Sequence, residues 1–459
     1  MKVKYLLPIA FAAAMFSACD DAVELPEWDY SNGQDYNGGD NTDDNTGDNT
    51  GDDNTNTGNE ETNTVEIAEA WYEITSEKHF TLSQYLDSLL SIYDSFKSQR
   101  SMLEAMLSKT LELDSYSFNY MSKDENGEDI KLSGIFVVPT DGQKIGKNKF
   151  FLMDNRATQT SNAFMPSKAF GSGEIFAVLG HPTLSVDLQG YGESADRVMS
   201  YCCKHISARN AVDAILTAQF ILKDKGLIDK YMSIYNIGYS MGGFNALALA
   251  RYMEKEATDD EKAAINIKKS YCGAGPYNLG VYQEKVFKQT DYLYSPYMIM
   301  NIQSVFAYHG DLLGDYTIAD CLTETALNSG ICQMIQSGQY DNSQVVGWCY
   351  QNLGTKLADI MSKDMLDSES DLYKTFSNAI SGENLLADWT PKGQIYFYHH
   401  KNDDCVPAYC TELAEQAFSG SIGLTFKYDE AATQTTQVHG EAAASFFTSV
   451  ITEAITKWK

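Results

Sequence analysis

A serine stands among glycines at Gly238-Tyr239-Ser240-Met241-Gly242-Gly243, between an apolar run at 234–237 and a helix-like run at 244–252. Strand, sharp turn and helix put the serine at the apex, where a tight turn strains its backbone and exposes its hydroxyl. The helix beginning just after it aims its first N–H groups and the positive end of its dipole at the same spot. A nucleophile beside an anion site is the equipment of acyl transfer. Two partners follow in chain order. A strand-like stretch at 394–400 runs into a polar turn with Asp403 and Asp404, closed by Val406-Pro407. Another strand-like stretch at 423–429 precedes Val438-His439-Gly440 and a long amphipathic run. Serine, then acid, then histidine is a chain order that supports base-assisted nucleophilic catalysis.

These residues resemble the α/β-hydrolase superfamily. Asp403-Asp404-Cys405-Val406-Pro407 is similar to the family's acid turn, HGxxDxxVP; His399 takes the place of its histidine and His400 replaces its glycine. In that alignment Asp403 is the triad acid and Asp404 a neighbour. The segment 184–194, with Asp187-Leu188-Gln189-Gly190-Tyr191-Gly192, resembles the family's fourth strand and following turn. Ala211-Val212-Asp213-Ala214-Ile215 and Gly273-Ala274-Gly275-Pro276-Tyr277 look like a narrower group, the secretory lipases and related bacterial esterases. The resemblance spans residues 116–459. It implies an α/β fold with a mostly parallel central sheet and a helical cap inserted between strands 6 and 7. It also implies a Ser240, Asp403, His439 triad without a cofactor. The oxyanion donors would be the Met241 N–H and a second N–H from the loop after 150–155, placed at Arg156; that loop lacks the lipase HGGG.

The positioning elements are legible as periodicity. Thr81 with Gln84 forms a capping box, and Leu82, Leu86, Leu89, Leu90, Tyr93 and Phe96 continue at helical spacing, predicting a helix over 82–109. Residues 118–120 and 131–138 read as a leading hairpin around an acidic turn. Strands at 150–153, 183–187, 233–239, 267–274, 394–400 and 423–429 alternate with helices, which requires right-handed crossovers and a parallel core. Residues 278–390 break that alternation with helical patterns and many aromatics, among them Tyr282, Tyr292, Tyr294 and Trp348. Each single aromatic is expected to build the cap's own core, while the set shapes a substrate pocket. The chain thus divides into a 1–18 signal peptide, a 19–64 lipidated spacer, a 65–110 helical segment, the catalytic core at 111–277 and 391–459, and the 278–390 cap.

The formal charge of −29 disfavours nucleic acid and anionic membrane surfaces as partners. Residues 20–64 hold fourteen acids and no base, and read as a disordered acidic spacer. Residues 65–459 keep 49 acids and 32 bases, net −17, which mildly favours neutral or cationic substrates. Lys2 and Lys4 before an apolar run at 5–16 form an export signal too short to span a membrane. Phe16-Ser17-Ala18-Cys19 resembles a bacterial lipobox, implying a lipid on Cys19 and membrane attachment through that anchor only. Asp20 and Asp21 resemble the acidic surface-export signals of Bacteroidetes lipoproteins, which places the protein at the outer membrane or cell surface. The eight remaining cysteines allow 105 complete pairings, and none forms a CxxC.

Other assignments stay open on the residues alone. His399, His400, Asp403 and Asp404 would also suit a metal, although the acid turn accounts for all four and no metal is expected. Asp187 ends a strand and is the alternative acid. His181 precedes a proline in a turn, and His205 and His309 read as surface or packing residues. Two other functions compete with a carboxylic ester hydrolase acting on a lipid or carbohydrate-linked acyl ester. One is a serine peptidase of the same fold, which usually carries a large extra domain. The other is a tethered binding protein with a vestigial site, which an intact triad disfavours.

Overall fold

A computed structural model describes residues 66–91, 111–140, 145, 149–171, 173–433 and 437–458. Nine strands, β1 (Tyr72–Thr81), β2 (Glu112–Lys123), β3 (Asp129–Thr140), β4 (Phe151–Asn155), β5 (Thr183–Val186), β6 (Ser233–Tyr239), β7 (Asn266–Gly273), β8 (Ile395–His400) and β9 (Leu424–Asp429), form one sheet. Their order is β1-β2-β3-β5-β4-β6-β7-β8-β9. β1, β2 and β3 are an antiparallel meander and β3 is antiparallel to β5, while β5 to β9 run parallel. Parallel strands covered on both faces read as apolar runs, as β4 and β6 do.

Helices of eight or more residues are α1 (Leu82–Ser91), α2 (Lys204–Asp224), α3 (Met241–Lys255), α4 (Leu279–Phe287), α5 (Ser295–Tyr308), α6 (Asn342–Leu353), α7 (Asp371–Ser381), α8 (Tyr409–Ala417) and α9 (Val438–Lys457). Successive β6 side chains face opposite layers. Ile234 packs in the layer of Ile215 and Leu249 from α2 and α3. Ile237 and Tyr239 pack with Tyr85 of α1 and Phe446 of α9. Trp458, just beyond α9, stacks on Tyr235 with ring centroids 3.7 Å apart and donates its indole N–H to Tyr271 Oη at 3.0 Å. The helix that carries His439 at its start is therefore pinned to the sheet at its far end.

Helices α4 to α7 lie between β7 and β8, which are strands 6 and 7 counted from the leading hairpin. They do not form a separate core. Tyr282, Ile299, Val345 and Phe376 from the cap join Phe244 and Leu247 of α3 in one continuous buried cluster. No helix among the described residues is long and apolar enough to cross a membrane.

The structure departs from expectation at the start. Segment 65–110, expected to be helical, opens with strand β1 on the sheet edge. Its alternation carries few apolar residues and is interrupted by a register shift between Ile74 and Ser76, so the period of two was not visible. The helix expected over 82–109 is described as Leu82–Ser91; its remainder lies outside the described residues, as do the leader, Cys19 and the spacer. Thr81 and Gln84 do cap α1, with Thr81 N–H donating to Gln84 Oε1 at 2.9 Å. All eight cysteines after Cys19 are free thiols, and seven of them are buried.

Candidate active site

Ser240 sits between β6 and α3 at φ 59° and ψ −126°, a left-handed conformation that costs a non-glycine residue about 1–3 kcal/mol. Neighbouring backbone enforces it. A Cβ on Gly238 would fall 2.0 Å from the Gly242 carbonyl oxygen, and one on Gly242 would fall 1.9 Å from the Asn155 carbonyl oxygen. Only glycine admits these approaches. The Ser240 N–H donates to the Gly273 carbonyl at 2.8 Å, tying the turn to β7. Its hydroxyl makes no capping bond to α3, and the residue is partly exposed.

The turn after β8 is built around Asp403. Its Oδ1 accepts the Cys405 and Val406 N–H groups at 3.0 and 2.8 Å, and its Oδ2 meets His439 Nδ1 at 2.7 Å. Burial pushes the Asp403 pKa up, but His439, His399 and the Val406 N–H outweigh burial and hold it below the ordinary value. A carboxylate only accepts, so His439 Nδ1 carries the proton and Nε2 is the basic nitrogen. Asp404 has another task. Its Oδ1 accepts the His439 main-chain N–H at 2.9 Å, and its Oδ2 accepts the hydroxyl of Tyr294 from the cap at 2.8 Å. Burial, aided by the charge of Asp403, raises its pKa.

Tyr239 joins the serine turn to the histidine. Its ring lies 5.0 Å from the His439 ring, and its hydroxyl donates to the His439 carbonyl at 2.9 Å. β6, β7 and β8 are adjacent, so Ser240, Asp403 and His439 gather at one end of the sheet. The sequence reading named Tyr239 in the serine turn and Tyr294 in the cap, but not their contacts here. The signal for Tyr239 was its place before the serine, pointing to the opposite face; Tyr294 had none, because its partner is 110 residues away.

The remaining candidates resolve as follows. Asp187 is buried and is held by the Ser167 N–H at 3.0 Å, the Ser167 hydroxyl at 2.6 Å and the Ser133 hydroxyl. It serves the turn after β5 and has no histidine among these partners. His399 Nε2 donates to the Val406 carbonyl at 2.6 Å and its Nδ1 pairs with Thr411 Oγ1 at 2.7 Å; burial lowers its pKa. His400 Nε2 turns to the Ala431 carbonyl at 2.9 Å. Both brace the turn. His205 is exposed and pairs with Glu256, whereas His181 is buried with its pKa lowered to about 4 by burial and Lys149. Among the described residues, one group outside this site carries ligand-type atoms within 4.8 Å of one another: Cys203, His309 and Glu383. Glu383 Oε2 accepts the Lys204 N–H at 2.6 Å, Oε1 meets His309 Nε2 at 2.9 Å, and Cys203 Sγ lies 3.2 Å from Ser304 Oγ. Protein partners account for each of these contacts.

Arg156 follows β4, as expected for the oxyanion loop. Its guanidinium is engaged with Glu174, at 2.7 Å, and lies 3.8 Å from Asp154 Oδ2. The expected oxyanion donor is its main-chain N–H, not this guanidinium. Asn155 locks this loop to the serine strand through Asn236 Oδ1 at 2.7 Å and the Ile237 carbonyl at 3.0 Å. Behind the loop, burial and the neighbouring Glu174 raise the Asp154 pKa to about 7.

No protein-family model matches this sequence, and no curated relative matches it. Solved structures do. The rice cell wall degrading esterase LipA from Xanthomonas oryzae is similar at 17% identity and a TM-score of 0.67, covering 84% of this chain and 99% of that one. A Legionella pneumophila protein described as a hydrolase gives 16%, 0.66, 86% and 99%. Candida antarctica lipase A in its closed state gives 11%, 0.52, 78% and 77%. At these identities the likeness shows the fold, and the chain has the α/β-hydrolase fold with a helical cap.

The Asp154 site makes a pH prediction. Its folded-state pKa lies above the ordinary 3.8, so the folded protein keeps a proton that the unfolded chain has released. The resulting stabilisation is present below about pH 4 and is lost as pH rises through about 7. Asp154→Asn removes this dependence. Urea unfolding of both proteins from pH 4.5 to 8 should show wild type losing stability relative to the variant across that window; a constant difference would refute the assignment.

Proposed function

We propose that this chain is a serine-dependent carboxylic ester hydrolase. The observation that carries the reading is the 2.7 Å contact between buried Asp403 and His439, at the sheet end that presents Ser240 on its strained turn. His439 Nε2 takes the Ser240 proton as Oγ attacks the ester carbonyl carbon. Asp403 holds the Nδ1–H tautomer and stabilises the imidazolium. The Met241 N–H, at the start of the 15-residue α3, and the Arg156 N–H stabilise the tetrahedral oxyanion. His439 then protonates the leaving alcohol, and water with His439 as base releases the acid. The protein residues complete this cycle between them. The substrate is an acyl ester of a lipid or a carbohydrate; the plant cell-wall activity named for the Xanthomonas neighbour supports the carbohydrate-linked alternative. The export and lipobox signals support a lipoprotein tethered at the outer membrane or cell surface through Cys19.

Ser240→Ala should lower hydrolysis of 4-nitrophenyl acetate and of acetylated oligosaccharides by ~10³-fold or more while circular dichroism stays unchanged. Wild-type turnover in the pure variant would end the reading. Asp403→Asn should cost up to ~10⁴ in turnover by favouring the wrong imidazole tautomer. Asp404→Asn should cost about 10-fold, the scale of one supporting hydrogen bond. A larger loss at Asp404 would reverse their roles. Cys19→Ala should move the protein out of the membrane fraction; equal fatty-acid labelling of variant and wild type would refute the lipid anchor.

A further inference from the structure

β6 divides the site. Asp403 and His439 lie on its β8–β9 side, and a pocket lies on its β4–β5 side, reached by the loop of Asn155 and Arg156 and by Met241. His439 must protonate the leaving oxygen, so the alcohol occupies the His439 side. The acyl group then enters the opposite pocket, next to both oxyanion donors. Its walls include Met165, Leu188, Met199 and Met241, an apolar and adaptable lining.

Asn155, Arg156, Gln159 and Tyr191 add polar groups to that lining, and two further polar residues come from the helices. Ser207 on α2 and Asn245 on α3 both face the pocket, with 5% and 3% exposure. Ser207 Oγ and Asn245 Oδ1 have no hydrogen-bond partner among the described residues. Leaving such atoms unpaired costs about 1–3 kcal/mol each, so buried polar groups normally find partners. Here two orphans border the same small pocket. Asn245 sits one helical turn beyond Met241, ~6 Å deeper along α3. A hydroxyl on the third carbon of an acyl chain reaches about that depth once a hydrogen bond is added.

Resting on the ester hydrolase reading above, we propose that Asn245 and Ser207 form a polar recognition site inside the acyl pocket, selecting a short hydroxyacyl group over its unsubstituted counterpart. The substrate hydroxyl donates to Asn245 Oδ1 and accepts from Ser207 Oγ. The methionine walls enclose the chain between. A site built to pair a substrate hydroxyl rejects the analogue lacking it far more strongly than an apolar pocket rejects a methylene.

The test compares methyl butyrate with both enantiomers of methyl 3-hydroxybutyrate by pH-stat titration. Wild type should favour one hydroxy ester by ~30-fold or more in kcat/KM. Ser207→Ala and Asn245→Leu should each lower that ratio by about 10-fold. Ser207→Ala, which removes an orphaned atom and little volume, should keep or raise the unfolding midpoint, so a changed ratio would not reflect misfolding. Equal hydrolysis of butyrate and hydroxybutyrate by wild type would show that these atoms bind water only and overturn the proposal, as would a ratio that neither variant moves. In both cases Ser240-dependent hydrolysis of butyrate would leave the hydrolase reading standing. Hydrolysis of neither ester, nor of 4-nitrophenyl acetate, would overturn both.

Discussion

The close approach of the α3 N-terminus to the ends of β4, β6 and β7 is the constraint on which the rest of the site depends. Ser240 keeps an unfavourable backbone conformation because Gly238, Gly242 and Gly243 let three stretches of main chain touch. The atoms that a Cβ would strike there belong to the Gly242, Asn155 and Gly273 carbonyls, and backbone has little freedom to yield. One packing arrangement thus sets the serine, the Met241 N–H and the Asn155–Arg156 loop relative to one another. Asn236 reinforces it from within the sheet, donating to the Ala246 carbonyl at 2.7 Å while accepting from Asn155. For the proposed reaction, this geometry is in place before substrate arrives, which is how electrostatic stabilisation avoids reorganisation.

The acid turn is held as firmly, and part of the grip comes from the cap. Tyr292 donates to the Cys405 carbonyl at 2.9 Å, and Tyr294 donates to Asp404. Removing 278–390 would therefore take away contacts that hold the acid turn. Asp404 bridges the cap to the His439 main chain, and the cap shares its buried cluster with α3. The cap thus supports the His439 main chain through Asp404. A lid swinging as one body would have to break these contacts at every opening, so any movement admitting substrate must lie in parts of the cap other than the Tyr292–Tyr294 segment.

How much was legible in the sequence follows from how local each signal is. The serine turn, the leading hairpin and the parallel strands announce themselves through glycines and short apolar runs whose partners lie nearby. The register of the acid turn came from the family resemblance, which sets Asp403 ahead of Val406-Pro407; in the structure Asp403 accepts from Cys405 and Val406, two and three residues on. Strand β1 was not, because an edge strand with charged outward residues and a register shift lacks clean alternation. Tyr294 and the Arg156–Glu174 pair were hidden differently. Each is decided by packing between residues apart in the chain, which composition does not encode.

The carboxylates beside His439 and the polar atoms at the β4-side pocket are held differently. On the His439 side, Asp403 and Asp404 each accept at both oxygens, and His399 is bonded at both nitrogens. A satisfied network of this kind holds one arrangement, which a proton relay requires. On the β4 side, Ser207 Oγ and Asn245 Oδ1 at the pocket and Asp154 Oδ1 behind the loop are buried without a hydrogen bond. Folding gains nothing from leaving them unpaired, and apolar replacements of similar size would fit an apolar pocket better. That asymmetry separates two duties. In the proposed reaction, the His439 side handles the proton with carboxylates that the fold already holds, while Ser207 and Asn245 leave the acyl side to be completed by what binds there.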